Sequence, residues 1–192
     1  MNRDILIRTA RPDDAAALLD IYAWYVENTA LSYEYAAPSE DEFRGRIINI
    51  MKQYPYLVAE QAGEILGYAY ASKYREREAY AWNAETSVYL HPDARGKGTG
   101  KMLYTRLEEL LRAQGVVKLM ASITMPKDGY SDFGSLRFHE RMGFKLAGRF
   151  ENCGYKFGCW YTTAIMDKFI SEARDNMAPI RTFDEIRDRF GV

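Results

Sequence analysis

Residues 85–124 constrain this chain more than any other stretch, because the spacing of apolar side chains changes there from strand to helix and back. Glu85–Leu90 reads as a strand that His91-Pro92 stops, since proline cannot donate to a ladder. The basic, Gly-rich loop Arg95-Gly96-Lys97-Gly98-Thr99-Gly100-Lys101 follows. Leu103, Leu107, Leu110 and Leu111 then mark one face of a helix that Gln114-Gly115 ends, and Val116–Thr124 is strand-like again. A strand, a helix and a second strand in succession return the chain parallel to its start, with the helix on one face of the sheet. The loop then lies at the helix N-terminus, where unhindered backbone N–H groups and the helix dipole suit an anion such as phosphate. Read without a ligand, the same residues make a flexible basic turn.

The flanking segments build a sheet around this unit. Ile5–Thr9 is an opening strand. Pro12, Asp13 and Asp14 start a helix over Asp13–Glu27, with Leu18, Ile21, Tyr22 and Tyr25 on one face. Ser39 with Glu42 forms a capping box ahead of Phe43, Ile47 and Ile50, and Pro55 ends that helical region. Tyr56–Glu60 and Ile65–Ser72 flank the hairpin loop Gln61-Ala62-Gly63-Glu64. Gly134–Met142 is a helix stopped by Gly143, and Phe144–Arg149 and Trp160–Phe169 are closing strands. The order is β-α-α-β-β-β-α-β-α-β-β, a mixed α/β (α+β) sheet rather than a doubly wound one. At 192 residues the chain reads as one domain over 1–170 with a C-terminal amphipathic helical extension over 171–192. Thr182 and Glu185 cap that extension, and Phe183, Ile186 and Phe190 lie along one face.

Composition excludes several function classes. Lys and Arg number 26 against 27 Asp and Glu, so net charge supplies no pull toward nucleic acid or an anionic membrane. Two cysteines, Cys153 and Cys159, cannot form a disulfide framework, and with two histidines in the whole chain no zinc or other metal site is expected. The apolar runs Ala15–Leu19 and Tyr22–Val26 are far short of a membrane span, and Met1–Ala10 lacks a signal-peptide core, so a cytoplasmic protein is expected.

The loop narrows its own ligand. A Walker A loop needs Gly at position 95 and Ser or Thr after its lysine, but Arg95 stands there and Met102 follows Lys101. A dinucleotide-binding G-x-G-x-x-G starting at Gly98 fails at Leu103. The spacing Arg-x-x-Gly-x-Gly of Arg95, Gly98 and Gly100 instead resembles the coenzyme A loop of the GNAT superfamily of N-acetyltransferases. The likeness runs from about Ile5 to Phe169 and is greatest to the phosphinothricin-acetyltransferase group. It rests on Tyr54-Pro55-Tyr56-Leu57-Val58-Ala59-Glu60, Ala79-Tyr80-Ala81-Trp82, Glu85-Thr86-Ser87-Val88-Tyr89-Leu90, Ser135-Leu136-Arg137-Phe138-His139-Glu140 and Gly154-Tyr155-Lys156.

That resemblance implies acetyl-CoA as co-substrate, its pyrophosphate gripped by Arg95, Gly96, Lys97, Gly98, Thr99, Gly100 and Lys101. It implies Glu85 as general base through a water, and backbone groups of Val88, Tyr89 and Leu90 on pantetheine and the thioester oxygen. His139 falls at a position tied to the leaving group or to the site's structure; Arg77 and Tyr80 match a pair directed at the acidic end of an amino-acid acceptor, and Tyr33 an aromatic on the substrate side. Asp132 replaces an Asn that helps bind coenzyme A, within a longer segment over 127–133. A homodimer is implied as well. On the residues alone, Glu85 reads as a solvated strand-end charge, His139 as a packed or surface helical residue, and Arg75-Glu76-Arg77-Glu78 as an ordinary charged loop. A metalloprotease fails, since Gly143 stands where His139-Glu140 would need a second histidine. The expected reaction is acetylation of a small amino-acid-like acid. A polyamine, drug or peptide N-terminus as acceptor, and a non-catalytic acyl-CoA-binding module, are the alternatives.

Overall fold

The computed structural model describes residues 5–127 and 133–190. Strand Leu6–Thr9 (β1) leads to helices Ala15–Asn28 (α1) and Glu40–Met51 (α2). Strands Tyr56–Gln61 (β2), Glu64–Lys73 (β3) and Asn83–Leu90 (β4) precede helix Thr99–Gln114 (α3) and strand Lys118–Thr124 (β5). Helix Gly134–Arg141 (α4), strands Lys145–Lys156 (β6) and Cys159–Phe169 (β7), and a single helical turn Asp184–Arg187 (α5) complete the chain. Up to β7 the elements follow the order expected from the sequence. The seven strands form one sheet, β1-β2-β3-β4-β5-β7-β6, antiparallel except at β4–β5.

Local chemistry explains the element ends. Asp14, just ahead of α1, holds the Arg8 guanidinium at 2.7 and 2.9 Å and accepts from the Arg11 amide, which ties β1 to the helix start. The Ser39 hydroxyl accepts from the Glu42 amide at α2. Two-residue turns with both central φ angles positive, Ala62-Gly63 and Phe157-Gly158, close the β2–β3 and β6–β7 hairpins. β6 runs well past the expected Phe144–Arg149, because Asn152 at φ 46° lies in an irregularity that breaks the strand alternation.

The register sorts side chains onto two faces, since directly opposed residues point the same way. Tyr56, Val58, Tyr68, Tyr70, Ser87 and Glu85 share the face covered by α1 and α2. Leu57, Ala69, Ala71, Ala84, Thr86 and Val88 share the other, where Leu103, Leu107, Leu110 and Leu111 of α3 build the larger core. No helix among the described residues is long and apolar enough to cross a membrane.

The tail differs from expectation. Among the described tail residues only one turn, α5, is helical; Thr182 and Glu185 do pair, with the carboxylate accepting from the Thr182 amide and hydroxyl, but the residues before them run as an extended strap containing Pro179. The strap is stitched to the body: Trp82 Nε1 donates to Ala178 O, Gln114 Nε2 to Arg181 O and the Phe183 amide to Gln53 O. Phe183 and Ile186 are buried in the same core as α3. Phe183→Ala should lower unfolding free energy by about 3–5 kcal/mol, the range for emptying a buried aromatic site. Urea unfolding reads this directly, and a loss below about 1 kcal/mol would show a tail merely laid on the surface.

Candidate active site

β4 and β5 pair only from Asn83 to Glu85 against Lys118 to Met120, although β4 continues to Leu90 and β5 to Thr124. Beyond that point they part, and the sheet opens. His91 donates to Leu66 O, so ladder alternation turns the backbone groups of Tyr89 toward β3 and those of Thr86, Val88 and Leu90 toward the opening. Leu90 is already engaged: Tyr25 Oη donates to its carbonyl at 2.8 Å and accepts from its amide at 3.2 Å. Of the three residues expected to offer backbone groups to a thioester arm, Val88 is the one whose N–H and C=O face the opening without such a claim.

Glu85 sits where the strands part, on the α1/α2 face. Ser122 Oγ of β5 donates to its carboxylate at 2.6 Å. Ser122 borders an open hollow of about 510 Å³, lined also by Tyr74, Arg75, Met120, Arg149 and Ile165. Arg75 lies over the rings of Tyr74 and Tyr80 at 5.1 and 5.6 Å. Arg77 instead caps the single 3-10 turn Glu78–Tyr80 with its side chain exposed, and Tyr80 reaches the hollow through its edge-on contact with Tyr74. Tyr33 stands on the same face, its hydroxyl 3.0 Å from Thr163 Oγ1.

His139 occupies the opposite face. It is 4% exposed, and its Nδ1 lies 2.8 Å from Ser135 O, an atom that can only accept, so Nδ1 carries the ring proton. Its Nε2 lies 2.8 Å from Tyr104 Oη; Tyr104 donates to Thr86 Oγ1 at 3.1 Å, and Thr86 donates to Met120 O at 3.2 Å. With a neutral ring, three protons serve these four contacts, so the chain runs one proton short. Burial makes the neutral ring the resting form by pushing its pKa down to about 4 against the pull of Ser135, and it raises the Tyr104 phenol. The vacancy can move along the chain without any heavy atom moving. Thr86, next to Glu85 in sequence, ends this chain at the last tie between β4 and β5.

At the far end of β4, Gly96 and Gly98 adopt φ angles of 74° and 87°, and a side chain added at either would point into open space. Gly98 is the residue before α3, so the loop meets the positive end of a 16-residue helix. Thr99 is fully buried, and its hydroxyl has no hydrogen-bond partner. An unmet donor at a glycine-cleared helix start suits a phosphate-bearing ligand. Lys97 and Lys101 are exposed beside it, while Arg95 is drawn back over Trp24 and Tyr25 at 4.7 and 5.0 Å. Asp132 lies outside the described residues. Among the described residues, no cluster of three or more His, Cys, Asp or Glu could hold a metal ion.

A family model described as an acetyltransferase (GNAT) domain matches residues 7–165. The chain belongs to the GNAT acetyltransferases. It is an enzyme, an N-acetyltransferase, and the binding-module alternative falls with that. The chain is 38% identical over 163 residues to a phosphinothricin N-acetyltransferase of Alcaligenes faecalis, covering 84% of this chain and 81% of the relative. It is 34% identical over 173 residues to an L-methionine sulfoximine/L-methionine sulfone acetyltransferase of Pseudomonas paraeruginosa, covering 88% and 96%. The structure of a GNAT superfamily phosphinothricin acetyltransferase from Sinorhizobium meliloti in complex with acetyl-CoA superposes with a TM-score of 0.83 at 34% identity, covering 93% of this chain and 98% of that one.

In this acetyltransferase, sequence reasoning passed over Ser122, Thr86, Tyr104, Tyr25, Arg75 and Arg149. A serine inside the apolar run Val116–Thr124 and a tyrosine on the leucine face of α3 were the available signals. The buried His139 has a consequence for stability. Between about pH 6.5 and 4 the unfolded chain binds a proton that the folded ring refuses, so stability is full above 6.5 and falls as pH drops through that window. The expected loss is about 3 kcal/mol at 1.36 kcal/mol per pKa unit. Urea unfolding at a series of pH values should show this slope in the wild type and a flatter one in His139→Asn; parallel slopes would mean that His139 titrates as an exposed histidine.

Proposed function

We propose that the chain transfers the acetyl group of acetyl-CoA to the α-amino nitrogen of a small amino-acid-like acid, with both substrates bound together and Glu85 as general base. The observation that carries this reading is the Glu85 carboxylate, held by Ser122 where the sheet opens, beside a hollow with two arginines on its wall. The relatives named for phosphinothricin and for methionine sulfoximine or sulfone support an amino-acid-like acceptor.

Acetyl-CoA supplies the activated acyl group. Arg95–Lys101 hold its pyrophosphate at the start of α3, and Val88 offers backbone groups to the arm that enters the opening. An α-ammonium cannot attack until it loses a proton, which Glu85 accepts directly or through a water. The freed nitrogen attacks the carbonyl carbon; the C–N bond forms, the C–S bond breaks, and the proton that the nitrogen sheds on becoming an amide goes to the departing thiolate. His139 serves that side of the opening through Tyr104 and Thr86. Arg75 and Arg149 suit a carboxylate or phosphinate on the acceptor and oppose a polyamine. Arg77 and Tyr80 back this wall. Two chains pair as a homodimer, a reading supported by exposed Leu146 and Phe150 on the sheet-edge strand β6.

Glu85→Gln should lower kcat by about 10²–10⁴-fold with acetyl-CoA affinity nearly unchanged, and the defect should shrink at high pH as free amine forms unaided. A pH–rate profile measured beside a melting curve tests this, and a stable variant with near-normal turnover at neutral pH would move the base elsewhere. Gly98→Val should keep the fold while abolishing acetyl-CoA binding in a calorimetric titration, because a branched side chain is strained at φ 87° and fills the space a phosphate would approach. Unchanged affinity would unseat the pyrophosphate loop.

A further inference from the structure

Lys156 ends β6 with its side chain buried, at 3% exposure. Its ammonium donates to three backbone carbonyls: Val26 O at 2.6 Å, Ser32 O at 2.7 Å and Thr29 O at 3.0 Å. A lysine has three protons to donate, so all are used. Val26 belongs to the last turn of α1 and Thr29 follows its end, where helix carbonyls lack amide partners and the dipole favours a cation. A charge placed there by residues more than a hundred positions away is a tertiary cap.

The segment leaving α1 is fastened to the same hairpin at three more points. The Tyr33 ring lies flush on Gly154, where an added Cβ would come within 2.5 Å of ring carbons. Tyr33 Oη meets Thr163 Oγ1 at 3.0 Å, and Tyr35 Oη donates to Tyr155 O at 2.7 Å. Thr163 is paired with Phe150, which lines the hollow beside Glu85, and it stands two residues from Ile165, which lines it too. Gly154 and Lys156 pair with Tyr161 and Cys159, which alternation along β7 places on the face of Thr163 and Ile165.

We propose that Lys156 is a positioning residue for the acceptor: its ammonium ties residues 29–35 to the β6–β7 hairpin and so fixes Tyr33 as a wall of the acceptor site. The proposal rests on the reading of the Glu85 hollow as that site. Lys156 touches no reacting atom. It acts by holding the end of α1 and the loop at one height above the sheet, with Gly154 providing the flat backbone on which the Tyr33 ring lies.

The test combines amide hydrogen exchange with steady-state kinetics at varied amino-acid acceptor. Lys156→Met keeps the aliphatic stem and leaves three carbonyls unpaired. Exchange over residues 29–35 should accelerate at least tenfold, and acceptor KM should rise about tenfold with kcat and acetyl-CoA KM within about twofold of wild type. Lys156→Arg, with charge and several donors retained, should recover most of the acceptor KM. Gly154→Ala keeps every Lys156 contact but displaces the Tyr33 ring, and it should reproduce the KM effect even if Lys156→Met fails to fold. Accelerated exchange with an unchanged acceptor KM would overturn the positioning role, and unchanged exchange would overturn the tie itself. A wild-type enzyme that turns over no amino-acid acceptor is a failure of the acceptor reading, visible before any variant is made.

Discussion

The parting of β4 from β5 governs the rest of this structure. A sheet that stops pairing in its middle leaves strong donors and acceptors facing a gap, and buried backbone groups must find partners. Here the debt is met piecemeal. Thr86 reaches across with its hydroxyl to Met120 O, and Tyr25 comes down from α1 to take both backbone groups of Leu90. Val88, between them, turns its backbone groups to the opening. A gap stabilised at both ends by protein side chains and left open at its centre is a slot of defined length, and in the proposed mechanism it is the passage by which a thioester meets an amine.

The slot also separates the chemistry. Glu85 and Ser122 look out on the face of α1 and α2, whereas His139, Tyr104 and the glycine loop belong to the face of α3 and α4. In the proposed mechanism, deprotonation of an incoming amine and protonation of a departing thiolate need groups of opposite tendency, and the sheet stands between the two environments. His139 itself is buried, with a ring held neutral by desolvation, whereas the Glu85 face opens to a hollow.

What was legible in the sequence is what depends on neighbours in the chain. Gly98 advertises a positive φ, Ser39 and Glu42 a helix start, Leu103 through Leu111 a buried face, and the element order follows from such signals. Contacts made by folding were not legible. Tyr104 and His139 stand 35 residues apart, and Lys156 lies 124 to 130 residues from the carbonyls it holds. Arg75 and Arg77 are two similar exposed charges in one loop, and only the fold shows that Arg75 lines the hollow while Arg77 precedes the 3-10 turn. At the C-terminus the capping pair was readable, but Pro179 and a strap of long-range hydrogen bonds leave room for only one turn of helix.

The division of the sheet into two faces bears on how such a protein can diversify. Side chains bordering the hollow come from the β3–β4 connection, β5, β6 and β7, whereas the glycine loop lies at the start of α3. With the hollow as the proposed acceptor site, changes at Arg75 or Arg149 retune acceptor preference and leave the loop at the start of α3 as it is. A lineage built on this plan can vary one wall of the hollow at a time without disturbing the loop at the start of α3.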